Sequence, residues 1–180
     1  MKKKMNVATL FLLAGFVIAL SAFFATSNAI VEALAITLGV TFYHFAMRLA
    51  VGAAVHCIMK NKADHTRAWF REKGFERKLY RLLRVRGWKK HLPTYSPESF
   101  DTSQKTVKEI VGATCQAEVV HELIMLFSLF PMLLIPVLGG AAALIVTSVL
   151  SMLIDAMFVV LQRYNRPRLV KVMGRFDKLK

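Results

Sequence analysis

Charge and apolar residues are sorted into separate stretches of this chain, and that sorting constrains the fold more than any motif. Residues 6–27 are almost wholly apolar. Residues 30–59 form a second long apolar run, interrupted by Glu32, His44, Arg48 and His56. Residues 119–138 and 141–161 are apolar again, with Gly139 and Gly140 between them. A bilayer is crossed by a helix of about 20 apolar residues, so each run is a candidate span. The basic residues lie elsewhere. Three precede the first run, 14 fall in residues 60–118 and seven run from Arg163 onward; of the 25 Lys and Arg, Arg48 alone lies within a run. The turns near 26–31 and 136–141 contain none. Lys and Arg collect on the cytoplasmic side of membrane proteins. The expected fold is therefore all-α: a multi-pass protein of the cell membrane, one domain over residues 1–180. Its four spans cover about 6–27, 30–59, 119–138 and 141–161. Both termini, the loop 60–118 and the tail 162–180 are cytoplasmic.

Composition excludes the main competitors. At 56% apolar residues the chain is too apolar for a soluble enzyme or a disordered protein, and two cysteines, Cys57 and Cys115, cannot build a disulfide scaffold. The net charge of +14 raises nucleic acid as a partner, but there is no finger spacing and no RNP-like aromatic pattern. The charge lies where topology and anionic headgroups draw it, so no nucleic acid is expected. A cleaved signal peptide would use Ala25 to Ala29. The apolar run exceeds the ~7–15 residues of such a segment, and cleavage would leave three spans.

The loop carries its own pattern. Phe75, Leu79, Leu82, Leu83 and Arg86 share one helical face amid basic residues. That spacing predicts an amphipathic helix in the headgroup layer, with Trp88 as an interfacial anchor. Pro93 and Pro97 end regular structure. Asp101, Thr102 or Ser103 is expected to cap a helix running from about 104 into the third span.

Ionisable residues inside a span cost a few kcal/mol and invite a functional reading. His44 and Arg48 are one turn apart on the second span. Arg48 needs a partner, and Asp155 on the fourth span is the candidate; the pair is either structural or an intramembrane polar site. Ser148, Ser151, Asp155 and Gln162 form a polar stripe that suits interhelical hydrogen bonding. On the third helix Glu118 and His121 share a face, with Glu122 one turn from Glu118. A carboxylate beside an imidazole fixes its tautomer and raises its basicity, as a general base for a hydroxyl requires. The structural alternative is an interfacial histidine paired for stability. His121-Glu122 begins a zinc-protease motif, but Met125 stands where the second histidine belongs. No histidine is followed by Asp at the fifth position, and there is no Gly-x-Ser-x-Gly elbow or Gly-rich phosphate loop. Cys115 projects about 120° from His121 on an ideal helix, a weak nucleophile candidate. No metal or redox cofactor is expected. Gln162-Arg163-Tyr164-Asn165-Arg166-Pro167-Arg168 closes the fourth span. Three arginines there are either topology determinants or an anion site that Pro167 shapes by breaking the helix. Guanidinium groups bind phosphate bidentately, and pantetheine-linked acyl donors carry phosphates.

That terminal segment, followed by Leu169, resembles the signature end of the glycosyl-4,4'-diaponeurosporenoate acyltransferase family of Gram-positive bacteria. Trp88-Lys89-Lys90-His91-Leu92-Pro93 is similar to its Trp-Lys-x-x-Leu-Pro segment. Ala117-Glu118-Val119-Val120-His121 is similar to its Ala-Glu-x-x-His segment. The likeness covers roughly residues 69–170. The first two spans look like an extension typical of a clostridial branch, and Asp155 stands where the family often has Asn. The resemblance implies transfer of a fatty acyl chain to the glucose hydroxyl of a glycosylated carotenoid acid, the last step of a staphyloxanthin-type pathway. The extension widens the acceptor to another glycolipid or hydroxyl-bearing amphiphile.

The roles of the matched residues follow from their own chemistry. His121, oriented by Glu118, is expected to deprotonate the acceptor hydroxyl at the cytoplasmic interface. Arg163, Arg166 and Arg168, with Lys89, are expected to hold the phosphates of an acyl-CoA or acyl carrier protein co-substrate. Asn165 or Tyr164 steadies the tetrahedral oxyanion, with Gln162 positioning. His44, Arg48 and Asp155 bind the acceptor or complete the polar core. Membrane lipids surround the spans. The alternatives are a non-catalytic lipid-binding membrane subunit and a small transporter protomer.

Overall fold

The computed structural model describes residues 2–93 and 97–177. Residue 1, residues 94–96 of the loop and the end of the basic tail at 178–180 lie outside the described residues. Seven α-helices are present among the described residues: α1 (Lys2–Thr26), α2 (Ala29–Met59), α3 (Glu76–Leu82), α4 (Val85–Trp88), α5 (Val107–Ser128), α6 (Ile135–Leu138) and α7 (Ala141–Asp177). No strand occurs among them. Four segments are long and apolar enough to cross a membrane: Lys2–Thr26, Ala29–Met59, Val107–Leu138 and Ala141–Arg175. Large apolar side chains such as Phe11, Phe24, Ile30 and Val137 point outward, each at least three-quarters exposed. An outward face of that kind suits lipid and not water.

The chain divides into two compact units. The first comprises Met1–Gly52 and Leu123–Asp155. α1 hands over to α2 at Ser27, which adopts a left-handed backbone (φ 50°). Asn28 then caps α2, its side-chain oxygen accepting from the Ile30 N–H at 2.8 Å. Small residues let the helices approach: a side chain at Gly39 would meet the Phe16 ring at 2.8 Å, and one at Gly140 would meet Ile36 at 2.9 Å. Gly140 is doubly constrained, because its φ of +57° is one that other residues rarely adopt. The expected third span is not one regular helix. α5 ends at Ser128, a 3₁₀ stretch covers Phe130–Leu134, and α6 follows, with Pro131 and Pro136 entering these short elements. Proline lacks the N–H that would continue the α ladder. Tyr43 on α2 donates its hydroxyl to the Phe127 carbonyl at 2.9 Å, where α5 is ending.

The second unit comprises Ala53–Glu122 and Ala156–Lys180. Three expectations need correction here. The loop helix is shorter than its pattern suggested: α3 stops at Leu82, Arg84 turns left-handed (φ 48°), and α4 adds one turn. Its buried positions are Glu76, Tyr80 and Val85, while Phe75 and Leu82 stay largely exposed. The following helix begins at Val107, not 104. Thr106 caps it through a reciprocal box with Glu109: the Thr106 N–H and hydroxyl donate to Glu109 Oε2, and the Glu109 N–H returns to Thr106 Oγ1. Asp101 instead closes a local turn with Ser103. Finally, Pro167 does not break the last helix; α7 runs through it to Asp177.

Candidate functional site

In the second unit, α5 places Thr114, Glu118 and Glu122 at successive i, i+4 positions, and the second half of α7 offers Arg163 and Arg166 at i, i+3. Glu118 is fully buried. A buried carboxylate is sustained only by partnered cations and hydrogen bonds. Glu118 has both: Arg163 pairs with one of its oxygens and Arg166 with the other.

The two arginines are otherwise committed. Arg163 donates from Nε (2.9 Å) and Nη2 (2.5 Å) to Glu76 Oε1. It also donates to the carbonyls of Trp69 (3.1 Å) and Arg71 (3.2 Å). With Glu118 these contacts use all five of its N–H groups. Arg166, 2% exposed, donates to Thr114 Oγ1, the Thr114 carbonyl and the Phe70 carbonyl, and its guanidinium lies 5.1 Å from the Phe70 ring centre. The second Glu76 oxygen accepts from the Tyr80 hydroxyl at 2.7 Å. Burial, reinforced by the Glu76 carboxylate, pushes the Tyr80 phenol up, so it stays a donor. Two carboxylates and two guanidinium groups thus close into a neutral buried cluster.

Around this cluster lie the remaining residues of interest. The half-buried His121 ring stacks on Phe158, with centres 4.6 Å apart and planes 9° from parallel. Glu122 accepts from the Trp69 indole at 3.0 Å. Lys89 brings Nζ to 3.4 Å from Asn165 Oδ1 and 5.0 Å from the Tyr164 ring centre. The exposed Arg168 lies 4.3 Å over the same ring and donates to the Tyr164 hydroxyl at 2.7 Å. Gln162 is buried, as is Cys115. Among the described residues no three His, Cys, Asp or Glu side chains group as a metal site would.

The arrangement gives several of these residues partners within the chain. Arg163 and Arg166 were expected to face an anionic donor; their N–H groups point at carboxylates and carbonyls of this chain. Glu118 was expected to orient His121; its oxygens are held by the two arginines. Lys89, Tyr164, Asn165 and Arg168 come together as one basic, aromatic patch. Glu76, Thr114 and the Trp69–Glu122 contact were not anticipated. Glu76 is one of two acids, with Glu72, within a run of cations, and nothing in sequence spacing links it to a residue 87 positions away.

The first unit holds the intramembrane polar residues. Arg48 Nη2 donates to Asp155 Oδ2 at 2.5 Å and to Ser151 Oγ at 2.8 Å, and Nη1 donates to the His44 carbonyl. Ser151 in turn shares a 2.8 Å hydrogen bond with Ser128. The expected Arg48–Asp155 ion pair is therefore present. His44 is 4% exposed, and neither ring nitrogen has a hydrogen-bond partner among the described residues.

The family model for glycosyl-4,4'-diaponeurosporenoate acyltransferase matches residues 66–175, well over half of the chain. No curated protein and no solved structure matches.

Proposed function

The chain belongs to the glycosyl-4,4'-diaponeurosporenoate acyltransferase family, and from that premise we propose that it is a membrane enzyme of O-acyl transfer. It moves a fatty acyl group from a thioester donor, acyl-CoA or acyl carrier protein, to a hydroxyl of a glycosyl carotenoid or related glycolipid. The observation that supports this most is convergence. Three segments far apart in sequence, around Lys89, Glu118–His121 and Gln162–Arg168, meet in one unit through Lys89–Asn165 and the Glu118–arginine pairs.

In this reading His121 accepts the proton of the acceptor hydroxyl as its oxygen attacks the thioester carbon. The C–S bond then breaks, and the proton passes to the departing thiolate. The neutral cluster of Glu76, Glu118, Arg163 and Arg166 fixes α7 beside α5, so these four are positioning residues. Lys89 and Arg168 meet the donor's phosphates, and Asn165 or Tyr164 donates to the developing oxyanion. The site faces the cytoplasm, where the thioester is made.

Lipid mass spectrometry tests the reading. Wild type and His121→Ala are expressed at matched membrane levels in the native host lacking the gene. A lipid heavier by one acyl unit is expected with wild type and absent with the variant. Profiles that are the same with wild type and with no protein would remove acyl transfer. Equal product from both proteins would remove His121 as the base.

A further inference from the structure

A second basic site lies on the same unit, apart from the residues assigned to acyl transfer. A cavity of about 150 Å³ is lined by Lys60, Asn61, Lys62, Ser99, Lys105 and Glu109, with Ala113 at its base. Lys60 and Asn61 form the turn that ends α2, and both are left-handed, with φ of 47° and 57°. Asparagine tolerates that conformation; lysine is disfavoured in it, and glycine is the residue that fits it freely. A charged side chain therefore stands where backbone geometry favours none.

The turn is also locked in place. The Asn61 N–H donates to Gln116 Oε1 at 2.7 Å, and Gln116 Nε2 lies 3.2 Å from His56 Nδ1. The Asn61 carbonyl occupies the space a side chain at Gly112 would need. Lys60 and Lys62 are thus held over α5 instead of trailing from a free loop. The N–H groups of Lys60, Asn61 and Lys62 all bond within the chain, so side chains supply the site's capacity for a ligand. Three ammonium groups meet one carboxylate there. That carboxylate is partly engaged, since Glu109 Oε2 caps α5 and Oε1 lies 3.8 Å from Lys105.

We infer that this cavity binds a phosphate group at the membrane surface. Its volume leaves room for a phosphate group among the lysines. The lysines supply point charges, and Ser99 and Asn61 supply neutral hydrogen-bonding groups. Two molecules present that chemistry beside a span: an anionic phospholipid, through its headgroup, and coenzyme A, through its 3'-phosphate. The site does not depend on the acyl-transfer reading, and Lys60 and Lys62 lie outside the matched residues 66–175.

Lys60→Gly separates charge from structure, because it removes the ammonium while relieving the backbone. The full chain in detergent is titrated with coenzyme A and with dephospho-coenzyme A, and phosphatidylglycerol retention is followed by native mass spectrometry. Lys60→Gly should melt at or above the wild-type temperature, yet bind one of these probes about tenfold more weakly. The Lys62→Gln/Lys105→Gln variant should show the same loss. Lys78→Gln/Arg81→Gln, which removes equal charge from the exposed face of α3, should bind as wild type. Loss confined to phosphatidylglycerol identifies a lipid site; loss for coenzyme A but not its dephospho form identifies the 3'-phosphate. Unchanged binding in both site variants, equal loss in the α3 control, or a wild type that binds none of the probes overturns the proposal.

Discussion

At the scale of single residues, Glu118 carries the most consequence. It is fully buried, and its charge and that of Glu76 are balanced by Arg163 and Arg166. Glu118→Gln keeps the shape and removes the charge, which leaves two guanidinium groups facing one carboxylate in a buried place. Breaking a buried pair from one side costs about 3–5 kcal/mol. The variant is expected to unfold at clearly lower temperature in detergent, by circular dichroism, and to lose activity with stability. A change within ~1 kcal/mol, the range of exposed ion pairs, would mean the cluster is solvated. Sequence alone singled out Glu118, Arg163 and Arg166, because charged residues at a span's end stand out. Their partners were not legible. Helical spacing reports which residues share one helix face; it is silent on contacts between helices. Spacing therefore points from Glu118 to His121, three residues away, and gives no sign of the arginines 45 and 48 residues on.

At the scale of elements, the four apolar runs were legible because lipid demands long uninterrupted apolar helices. Their ends were less so. Asp101 and Thr106 are both capable of capping; Thr106 prevails because Glu109 sits three residues on and completes the box. Pro167 reads as a breaker by its missing N–H, yet α7 continues on both sides of it. The packing of the end of α2 on α5 rests on a single absent side chain. Gly112→Ala would drive Cβ into the Asn61 carbonyl, a backbone atom with little room to yield. A small-to-large change of this kind costs about 1–3 kcal/mol. Lower thermal stability is expected, together with faster amide exchange at Asn61, whose N–H loses its geometry to Gln116. Exchange that stays at the wild-type rate would show that the turn is held by something other than this contact.

At the scale of the whole molecule, the distribution of charge predicts an orientation that the proposed chemistry needs. The turns at 27–28 and 139–140 contain no Lys or Arg, whereas residues 60–118 contain 14. By that bias the loop, with Lys60, Lys62 and Lys89, is expected in the cytoplasm, on the side where acyl thioesters and anionic headgroups are found. Cysteine labelling checks it. Cys57 is exposed and Cys115 buried, so a Cys57→Ser background silences the accessible thiol. In that background Ala141→Cys marks the turn before α7 and Gln104→Cys marks the loop, both at exposed positions. A membrane-impermeant maleimide added to intact cells should label Ala141→Cys, and should label Gln104→Cys only after permeabilisation. The reverse pattern would put the loop outside, beyond the reach of a cytoplasmic thioester. The proposed donor would then be untenable even if the acceptor were right, because the orientation decides which donors can reach Lys89 and Arg168 at all.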